Sequence, residues 1–190
     1  TGLRERKRNQ VAIELDGRPW RVLPADAVVR ARLAVGRPLD RHTARELARE
    51  VRRARALTKA TRTLAVSARS RRELEQRLAR AGHAAAAREE ALAALDRAGL
   101  VDDARLAEGR AELLARRGYG DTAIRADLRR RLVGPEAMAA AVAALEPEPA
   151  RLRRLLEAQD VTPALLRRFA GRGFSRDALD EVASSVAREA

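Results

Sequence analysis

A repeated spacing of large apolar residues constrains the fold of this chain more than any other feature of its sequence. The first copy of the pattern has Leu74, Leu78 and Leu95, and 50 residues later the second copy has Ile124, Leu128 and Leu145. A third, shorter copy has Leu165, Phe169 and Val186, with Gly173 at the position of Gly82. Self-similarity with a period of about 40–50 residues is typical of helical repeat arrays, in which neighbouring units stack and bury one continuous seam.

Residues that favour helix ends mark the boundaries within each copy. Glycines are found where helices are expected to end, at Gly82, Gly99, Gly118 and Gly173. Side chains that cap helices are found where helices are expected to begin, at Ser70, Asp102, Asp121, Thr162 and Ser175. Thr43 and Glu46 have the spacing of a capping box at the start of the first helix. We therefore predict helices at 43–66, 70–81, 85–98, 102–117, 121–132, 136–146, 148–159, 162–171 and 175–189.

The composition agrees with a helical protein. Hydrophobic residues make up 46% of the chain and aromatic residues only 2%, so the apolar set is mostly Ala, Leu and Val. Ala and Leu, like the abundant Arg and Glu, are strong helix formers. Residues 11–23 alternate as strands do around the turn sequence Asp16-Gly17, which predicts a β-hairpin. The expected fold is all-α, with a basic N-terminal extension containing the hairpin at 1–40 and three-helix repeats at 41–99, 100–146 and 147–190.

Positive charge is concentrated in the first third of the chain. The net charge is +13, and residues 1–66 carry 17 basic and 7 acidic residues, a surplus of 10. Projected as a helix, residues 41–66 have a packing side with Ala44, Leu47, Val51, Ala54, Thr58 and Ala65, and an opposite side with Arg41, Arg45, Arg49, Arg52 and Lys59. Such a cationic side favours contact with nucleic acid or another acidic surface. An ordinary solvated face, rich in Arg because of genomic composition, is the alternative interpretation.

The sequence contains no pattern of catalytic or cofactor-binding residues. It has no cysteine and only two histidines, His42 and His83, which are far apart, so we expect no metal site. The segment 118–120 (GYG) follows a predicted helix and not a strand, and therefore predicts a turn and not a phosphate loop. Of the adjacent carboxylates Asp102 and Asp103, we expect one to cap the next helix and the other to favour its positive end. We expect a protein that is not an enzyme and needs no cofactor.

Two further features bear on location and on partners. The chain has no run of about 18 apolar residues and no recognisable signal peptide after Thr1. With the absence of cysteine, this favours a cytoplasmic protein that does not contact a membrane. The four aromatic residues Trp20, Tyr119, Phe169 and Phe174 are few for stacking on bases, and the two phenylalanines are expected in the core. The chain is therefore suited to contacting phosphates and poorly suited to reading bases.

Four segments, in order along the chain, resemble the RecX family of RecA regulators. Residues 69–82 (RSRRELEQRLARAG) are similar to the family pattern SRxEL…KL…G, and residues 98–107 (AGLVDDARLA) to GYLDDxRFA. Residues 117–128 (RGYGDTAIRADL) are similar to KG…IRxEL, and residues 166–175 (LRRFAGRGFS) to LxRRGF. The resemblance covers about residues 67–190, and residues 11–40 resemble an extension that many members carry.

The chain departs from the family pattern in two places. Where the family has Gly-Ile after the second EL helix, this chain has Leu132-Val133, with Gly134 following. This predicts a shifted turn or a longer helix there. Leu100 and Leu106 replace the usual aromatic residues, which changes the expected local packing more than the function.

The resemblance implies three tandem three-helix repeats, each similar to a helix-turn-helix, in an elongated and curved molecule. It implies binding in the helical groove of the RecA–DNA filament and inhibition of the ATPase, strand-exchange and coprotease activities of RecA, with roles in homologous recombination, DNA repair and the SOS response. We expect basic side chains to pair with acidic filament residues or with phosphates of single- or double-stranded DNA. The candidate residues are Arg45, Arg49, Arg52, Lys59, Arg71, Arg72, Arg125, Arg129 and Arg130.

Two other functions remain open on the sequence alone. One is a DNA-binding transcription regulator that uses a helix-turn-helix unit to read a groove, which would require base-specific affinity. The small charge surplus of residues 67–190 argues against it. The other is a helical adaptor without any nucleic-acid role, whose Arg content reflects genomic bias and whose binding is insensitive to salt.

Overall fold

The computed structural model describes residues 1–7, 9–157 and 159–189, with side chains up to residue 185, and this part of the chain contains three strands followed by ten helices. The strands are β1 Gly2–Arg6, β2 Gln10–Leu15 and β3 Arg18–Pro24. The helices are α1 Ala25–Arg30, α2 Arg41–Val66, α3 Arg71–Arg80, α4 Ala85–Arg97, α5 Asp103–Arg116, α6 Asp121–Arg130, α7 Pro135–Ala143, α8 Glu148–Leu156, α9 Pro163–Gly171 and α10 Arg176–Glu189. A mostly helical fold with a small N-terminal β-structure is thereby confirmed.

The chain divides into two compact units. The first comprises Thr1–Ala68 and Leu74–Val101, and the second comprises Arg69–Glu73 and Asp102–Ala190. The finer division into an extension and three repeats remains a prediction. Ala158, at the predicted end of a helix, and the side chain of Val186 lie outside the described residues.

The N-terminal β-structure is a three-stranded antiparallel sheet in the order β1-β2-β3, and not only a hairpin. The predicted hairpin is present as β2 and β3, and its turn residues Asp16 and Gly17 both have positive φ, as a tight two-residue turn requires. The sequence did not predict β1, because Leu3 is its only large apolar residue. It also did not predict α1, because six residues are too few to display a helical period.

Three apolar clusters form the core of the first unit. Val11, Ile13 and Leu23 of the sheet pack against α1 and the first half of α2. A second cluster joins α2, α3 and α4 and consists of Ala60, Leu74, Leu78, Leu92, Leu95 and Val101. Ala56 of α2 and Ala87 and Ala91 of α4 form the third, and their small side chains allow the two helices to approach closely. The sheet and α4 thus fix two sides of α2 and leave its remaining side exposed.

The second unit has two clusters, and the repeated aliphatic positions lie within them. One consists of Ala107, Ala111, Leu114, Ile124, Leu128, Val133, Ala141 and Val142, and the other of Leu152, Leu156, Phe169, Phe174 and Val182. Ile124 and Leu128 are fully buried, like Leu74 and Leu78 fifty residues earlier. The rings of Phe169 and Phe174 meet edge to face with centroids 5.5 Å apart, which confirms their expected place in the core.

The helix N-termini use most of the predicted caps. Side-chain oxygens of Ser70, Asp102, Thr162 and Ser175 accept hydrogen bonds of 2.9–3.2 Å from the backbone N–H three residues later. The predicted capping box at Thr43 is wrong, because Asp40 caps α2 by accepting from the Thr43 N–H at 2.7 Å. That hydrogen bond lowers the pKa of Asp40. Asp121 is not a cap either, since Gly120 holds that position and the Asp121 carboxylate pairs with Arg151.

The glycines predicted at helix ends have the expected left-handed backbone. Gly82, Gly99, Gly118 and Gly173 have φ between 64° and 85°. At the corresponding place after α6, Leu132 has φ 59°, and the Val133 N–H donates to Leu128 O at 3.1 Å, as the His83 N–H donates to Leu78 O at 3.1 Å. The turn is therefore neither shifted nor preceded by a longer helix. Leucine takes the conformation of glycine there, at a strain of about 1–2 kcal/mol.

Within the second unit, a carboxylate at the start of one helix caps a neighbouring helix. Asp103, the first residue of α5, accepts a hydrogen bond from the Arg71 N–H at 2.8 Å. Glu148, the first residue of α8, accepts from the Asp121 N–H at 2.6 Å and from the Ser175 N–H at 3.2 Å. The two acids occupy equivalent positions in the predicted repeat. The expectation for Asp103 was therefore incomplete, because this side chain also joins two helices.

Candidate functional site

Helix α2 carries six cationic side chains along one side. Arg41, Arg45, Arg52, Arg55, Lys59 and Arg62 are all exposed and lie within an arc of about 100° around the helix axis. They extend over about 31 Å of the helix. The other positions in this arc are Ala44, Ala48, Thr63 and Val66, so no carboxylate interrupts the row. We call these six residues the α2 stripe.

The α2 stripe results from the way in which the opposite side of the helix is buried. Leu47, Val51 and Ala54 lie on the buried side, as predicted, and each is less than 10% exposed. They pack against the sheet and α1. The predicted packing side was wrong at Thr58 and Ala65, which are exposed, whereas Ala60 is fully buried. The buried side of α2 therefore faces α4 more directly than the helix projection predicted. The sequence also missed Arg55 and Arg62, although their spacing from Lys59 would have identified them.

The α2 stripe is not paired with acidic residues in the described part of the chain. Among the residues that the structure describes, none of its six cations has a carboxylate within ion-pair distance. The three stripe residues that belong to the predicted binding residues, Arg45, Arg52 and Lys59, therefore keep their full charge available to an external partner. Six such charges in a row produce a positive potential that extends about 8–10 Å into solution at physiological salt.

Arg49, a fourth predicted residue on α2, lies beside the stripe and is paired. Its guanidinium donates to Glu50 at 3.1 Å, Glu50 lies 3.6 Å from Arg53, and Arg53 lies 3.4 Å from Asp26. The hydrogen bond with Glu50 is the main cause of the raised pKa of Arg49, and the charge of Glu90 on α4 contributes. The chain thus neutralises much of the Arg49 charge, because Arg49 belongs to a network that links α1, α2 and α4.

The remaining predicted residues lie in the second unit and differ in exposure and in ion pairing. Arg72 and Arg129 are exposed, and neither has an ion-pair partner in the described part of the chain. Arg125 pairs with Asp121 at 3.6 Å, and Arg130 with Asp127 at 3.4 Å. Arg71 is half-buried, and its backbone N–H is held by Asp103. The proposal that all nine predicted residues share one surface remains a prediction.

A cluster of charged side chains in the second unit is paired internally. Arg110 donates to the two carboxylate oxygens of Asp127 at 2.7 and 3.2 Å, and Arg131 donates to the same carboxylate at 3.1 Å. The hydrogen bond from Arg110 is the largest cause that lowers the pKa of Asp127 from 3.8 to about 2. This cluster joins α5 to α6, so its charges stabilise the unit and are not available for binding.

The described residues also bear on metal binding and on membrane insertion. No group of three or more His, Cys, Asp or Glu side chains in this part of the chain is arranged to hold a metal ion. No helix within the described ranges has the length and apolar character needed to span a membrane.

The fold is similar to that of two solved RecX structures. A crystal structure of a regulatory protein RecX aligns with a TM-score of 0.77 over 96% of this chain and 97% of that chain, at 19% sequence identity. The crystal structure of RecX from Lactobacillus salivarius aligns with a TM-score of 0.63 over 72% of this chain and 97% of that chain, at 17% identity. No family model matches the chain, and no curated protein gives a significant match. The predicted relation to RecX is thus confirmed at the level of the fold.

Proposed function

We propose that this chain is a RecX-type regulator that binds the RecA–DNA filament in the cytoplasm and inhibits the ATPase, strand-exchange and coprotease activities of RecA. The observation that supports this proposal is the α2 stripe, in which six unpaired cations follow one another along about 31 Å of helix. The stripe belongs to a chain with the fold of the RecX structures. Together they favour regulation by binding and not by catalysis.

The shape of the α2 stripe fits an extended acidic partner. A compact anion would touch one or two of the cations, whereas a nucleoprotein filament presents rows of phosphates and acidic side chains over a comparable length. The stripe contains no carboxylate, so a partner of this kind meets attraction along its whole length. Binding that depends on such a row weakens steeply as salt increases, because condensed counterions are released on association.

The first experiment measures the ATPase rate of RecA from the same organism, on single-stranded DNA, while substoichiometric amounts of this protein are added. We expect strong inhibition well below one molecule per RecA, because a bound regulator affects neighbouring subunits of a filament. No inhibition by a protein that circular dichroism shows to be folded would overturn the proposal. Sequence-selective binding to duplex DNA in that case would indicate a transcription regulator instead.

A matched pair of variants tests whether the α2 stripe is the binding surface. The triple variant Arg45→Gln, Arg52→Gln, Lys59→Gln removes three stripe charges and leaves the paired Arg49 in place. The control triple variant Arg97→Gln, Arg117→Gln, Arg168→Gln removes three exposed charges elsewhere that likewise have no ion-pair partner in the described part of the chain. We expect the first variant to need at least about tenfold more protein for half-inhibition, from a loss of about 0.5–1 kcal/mol per charge.

The control variant should reach half-inhibition at nearly the same concentration as the parent protein. If both variants lose inhibition equally, total charge and not the α2 stripe determines binding. If neither loses inhibition, the stripe is not the interface, and the exposed cations Arg72 and Arg129 of the second unit become the next residues to test.

A further inference from the structure

A groove with a volume of about 270 Å³ lies between strand β3 and helix α2 in the first unit. Leu23, Leu47 and Val51 close its floor, and each of them is less than 10% exposed. Trp20, which is 40% exposed, and Ala48 line its walls. The volume lies just below the range of about 300–1,000 Å³ that is usual for small-molecule pockets. The groove therefore suits one large apolar side chain better than a complete drug-sized ligand.

Three guanidinium groups surround this apolar groove. Arg21 of β3 and Arg52 and Arg55 of α2 line it, and all three are exposed. No acidic residue belongs to the lining, and none of the three arginines has an ion-pair partner in the part of the chain that the structure describes. The guanidinium of Arg21 lies 5.2 Å from the centre of the Trp20 ring, which positions this charge at the edge of the groove.

A second cleft of the first unit shows what an internally neutralised site looks like. It is lined by residues of α1, α2 and α4, among them Arg49, Glu50, Arg53, Glu89 and Glu90. The two signs of charge pair with each other there, as the 3.1 Å contact between Arg49 and Glu50 illustrates. The groove between β3 and α2 has arginines but no carboxylates, so its positive charge is available to a bound partner.

We propose that the groove between β3 and α2 binds an acidic peptide segment of a partner protein. One aliphatic or aromatic side chain of the segment would lie against Trp20 and Ala48, and flanking carboxylates would pair with Arg21, Arg52 and Arg55. An apolar anchor between charge-assisted hydrogen bonds gives both affinity and orientation. The proposal goes beyond the regulatory function proposed above and does not depend on it, since an acidic segment can bind here whatever the partner does.

The lining favours a peptide over single-stranded nucleic acid. A nucleobase inserted against Leu23, Leu47 and Val51 would bury its polar edges without hydrogen-bond partners, which is costly. Proteins that bind single strands usually provide several aromatic platforms in succession, whereas Trp20 is the one aromatic residue that lines this groove. An aliphatic or phenyl side chain has no polar edge to satisfy.

Trp20 is the only tryptophan of the chain, so its fluorescence reports directly on the groove. The experiment titrates the full chain with the blocked peptide Ac-Glu-Asp-Leu-Phe-Asp-Glu-amide, which lacks tryptophan and tyrosine. We expect a saturable change in Trp20 emission. A peptide with Ser-Ser in place of Leu-Phe tests the apolar anchor, and a peptide with Gln and Asn in place of the acids tests the charges. Each should bind at least about tenfold more weakly.

Three variants tie the signal to the groove. Arg52→Gln with Arg55→Gln should weaken peptide binding at least about tenfold, because two charged hydrogen bonds are lost. The matched control, Arg6→Gln with Arg97→Gln, removes the same charge from exposed positions of the first unit that lie outside both the groove and the α2 stripe, and should stay close to the parent. Ala48→Leu fills the groove without changing charge and should also weaken binding, while its exposed site and good helix propensity preserve folding.

Several results would overturn the proposal. Absence of a saturable signal excludes the groove as a peptide site. If both double variants weaken peptide binding equally, total charge and not the groove determines the affinity. Equal binding of the Ser-Ser peptide would show that no apolar side chain anchors the segment. Tighter binding of oligo(dT) than of the peptide, again through Trp20, assigns the groove to nucleic acid. None of these titrations contains RecA, so failure here is separate from failure of the ATPase experiment.

Discussion

Gly120 offers the sharpest test of how the second unit is held together, because two backbone segments touch at this residue. A Cβ atom at position 120 would lie 2.2 Å from Phe174 N and 2.3 Å from Gly173 O. Both are backbone atoms, so no side-chain rotation can relieve the overlap. The same contact contains two hydrogen bonds of 3.0 Å, from the Gly120 N–H to Arg172 O and from the Thr122 N–H to Gly173 O.

The substitution Gly120→Ala must therefore separate the start of α6 from the turn between α9 and α10. The backbone angles of Gly120 suit alanine, with φ −81° and ψ 169°, so the cost comes from the contact and not from the conformation. Losing two hydrogen bonds costs about 2 kcal/mol, and displacing a packed segment costs about 1–3 kcal/mol. We expect the free energy of unfolding to fall by about 3–5 kcal/mol in total.

Gly109→Ala is the matched control, and its effect should have the opposite sign. Gly109 lies inside α5 of the same unit, and an added Cβ would meet nothing within 4 Å. Alanine there should stabilise the protein by about 0.5–1 kcal/mol, because glycine loses more backbone entropy in a helix. Urea unfolding followed by the helical circular dichroism signal measures both variants. A Gly120→Ala variant within about 1 kcal/mol of the parent would refute this description of the contact.

Three further changes have defined outcomes. Leu132→Gly removes the left-handed strain at φ 59° and should raise the free energy of unfolding in urea by about 0.5–1 kcal/mol; a decrease would mean that the leucine side chain packs well enough to outweigh its strain. Because Arg110 lowers the pKa of Asp127 to about 2, their pair should contribute stability in full above about pH 4 and lose it as pH falls toward 2. Urea unfolding at each pH measures this loss in the free energy of unfolding, and Asp127→Asn should abolish about 2 kcal/mol of it. Glu148→Gln should cost about 1–2 kcal/mol in urea and speed hydrogen exchange at the Asp121 and Ser175 amides that this side chain caps; unchanged exchange would show that the caps do not depend on the charge.

The parts of the fold that the sequence predicted are those that depend on local periodicity. Leu74 and Leu78 could be assigned to the core because their spacing recurs at Ile124 and Leu128, and all four are buried. The left-handed glycines could be predicted because that conformation is costly for other residues. At Leu132 the same reasoning failed, because the hydrogen bond from the Val133 N–H to Leu128 O holds the turn even without glycine.

The parts that the sequence could not predict depend on contacts between distant segments. The helix projection placed Arg49 with the free cations, but Glu50 and the acidic residues of α4 draw it into a network. Asp103 was assigned to its own helix, although its carboxylate holds the Arg71 N–H, which is 32 residues away. The groove at Trp20 exists only because β3 packs beside α2, and no pattern within either segment encodes that position.

The α2 stripe is difficult to explain by an Arg-rich composition alone. Elsewhere in the chain, exposed arginines are repeatedly placed four residues from a carboxylate, as at Arg30 with Asp26, Arg116 with Glu112, Arg125 with Asp121 and Arg176 with Asp180. In the stripe, four pairs of residues three or four positions apart are both cations, at 41 and 45, 52 and 55, 55 and 59, and 59 and 62. Each like-charge pair destabilises a helix by about 0.2–0.5 kcal/mol. A biased composition would place arginine both near carboxylates and near other cations. The cations of the stripe repel one another in the free protein, and this repulsion is lost when an acidic partner covers them.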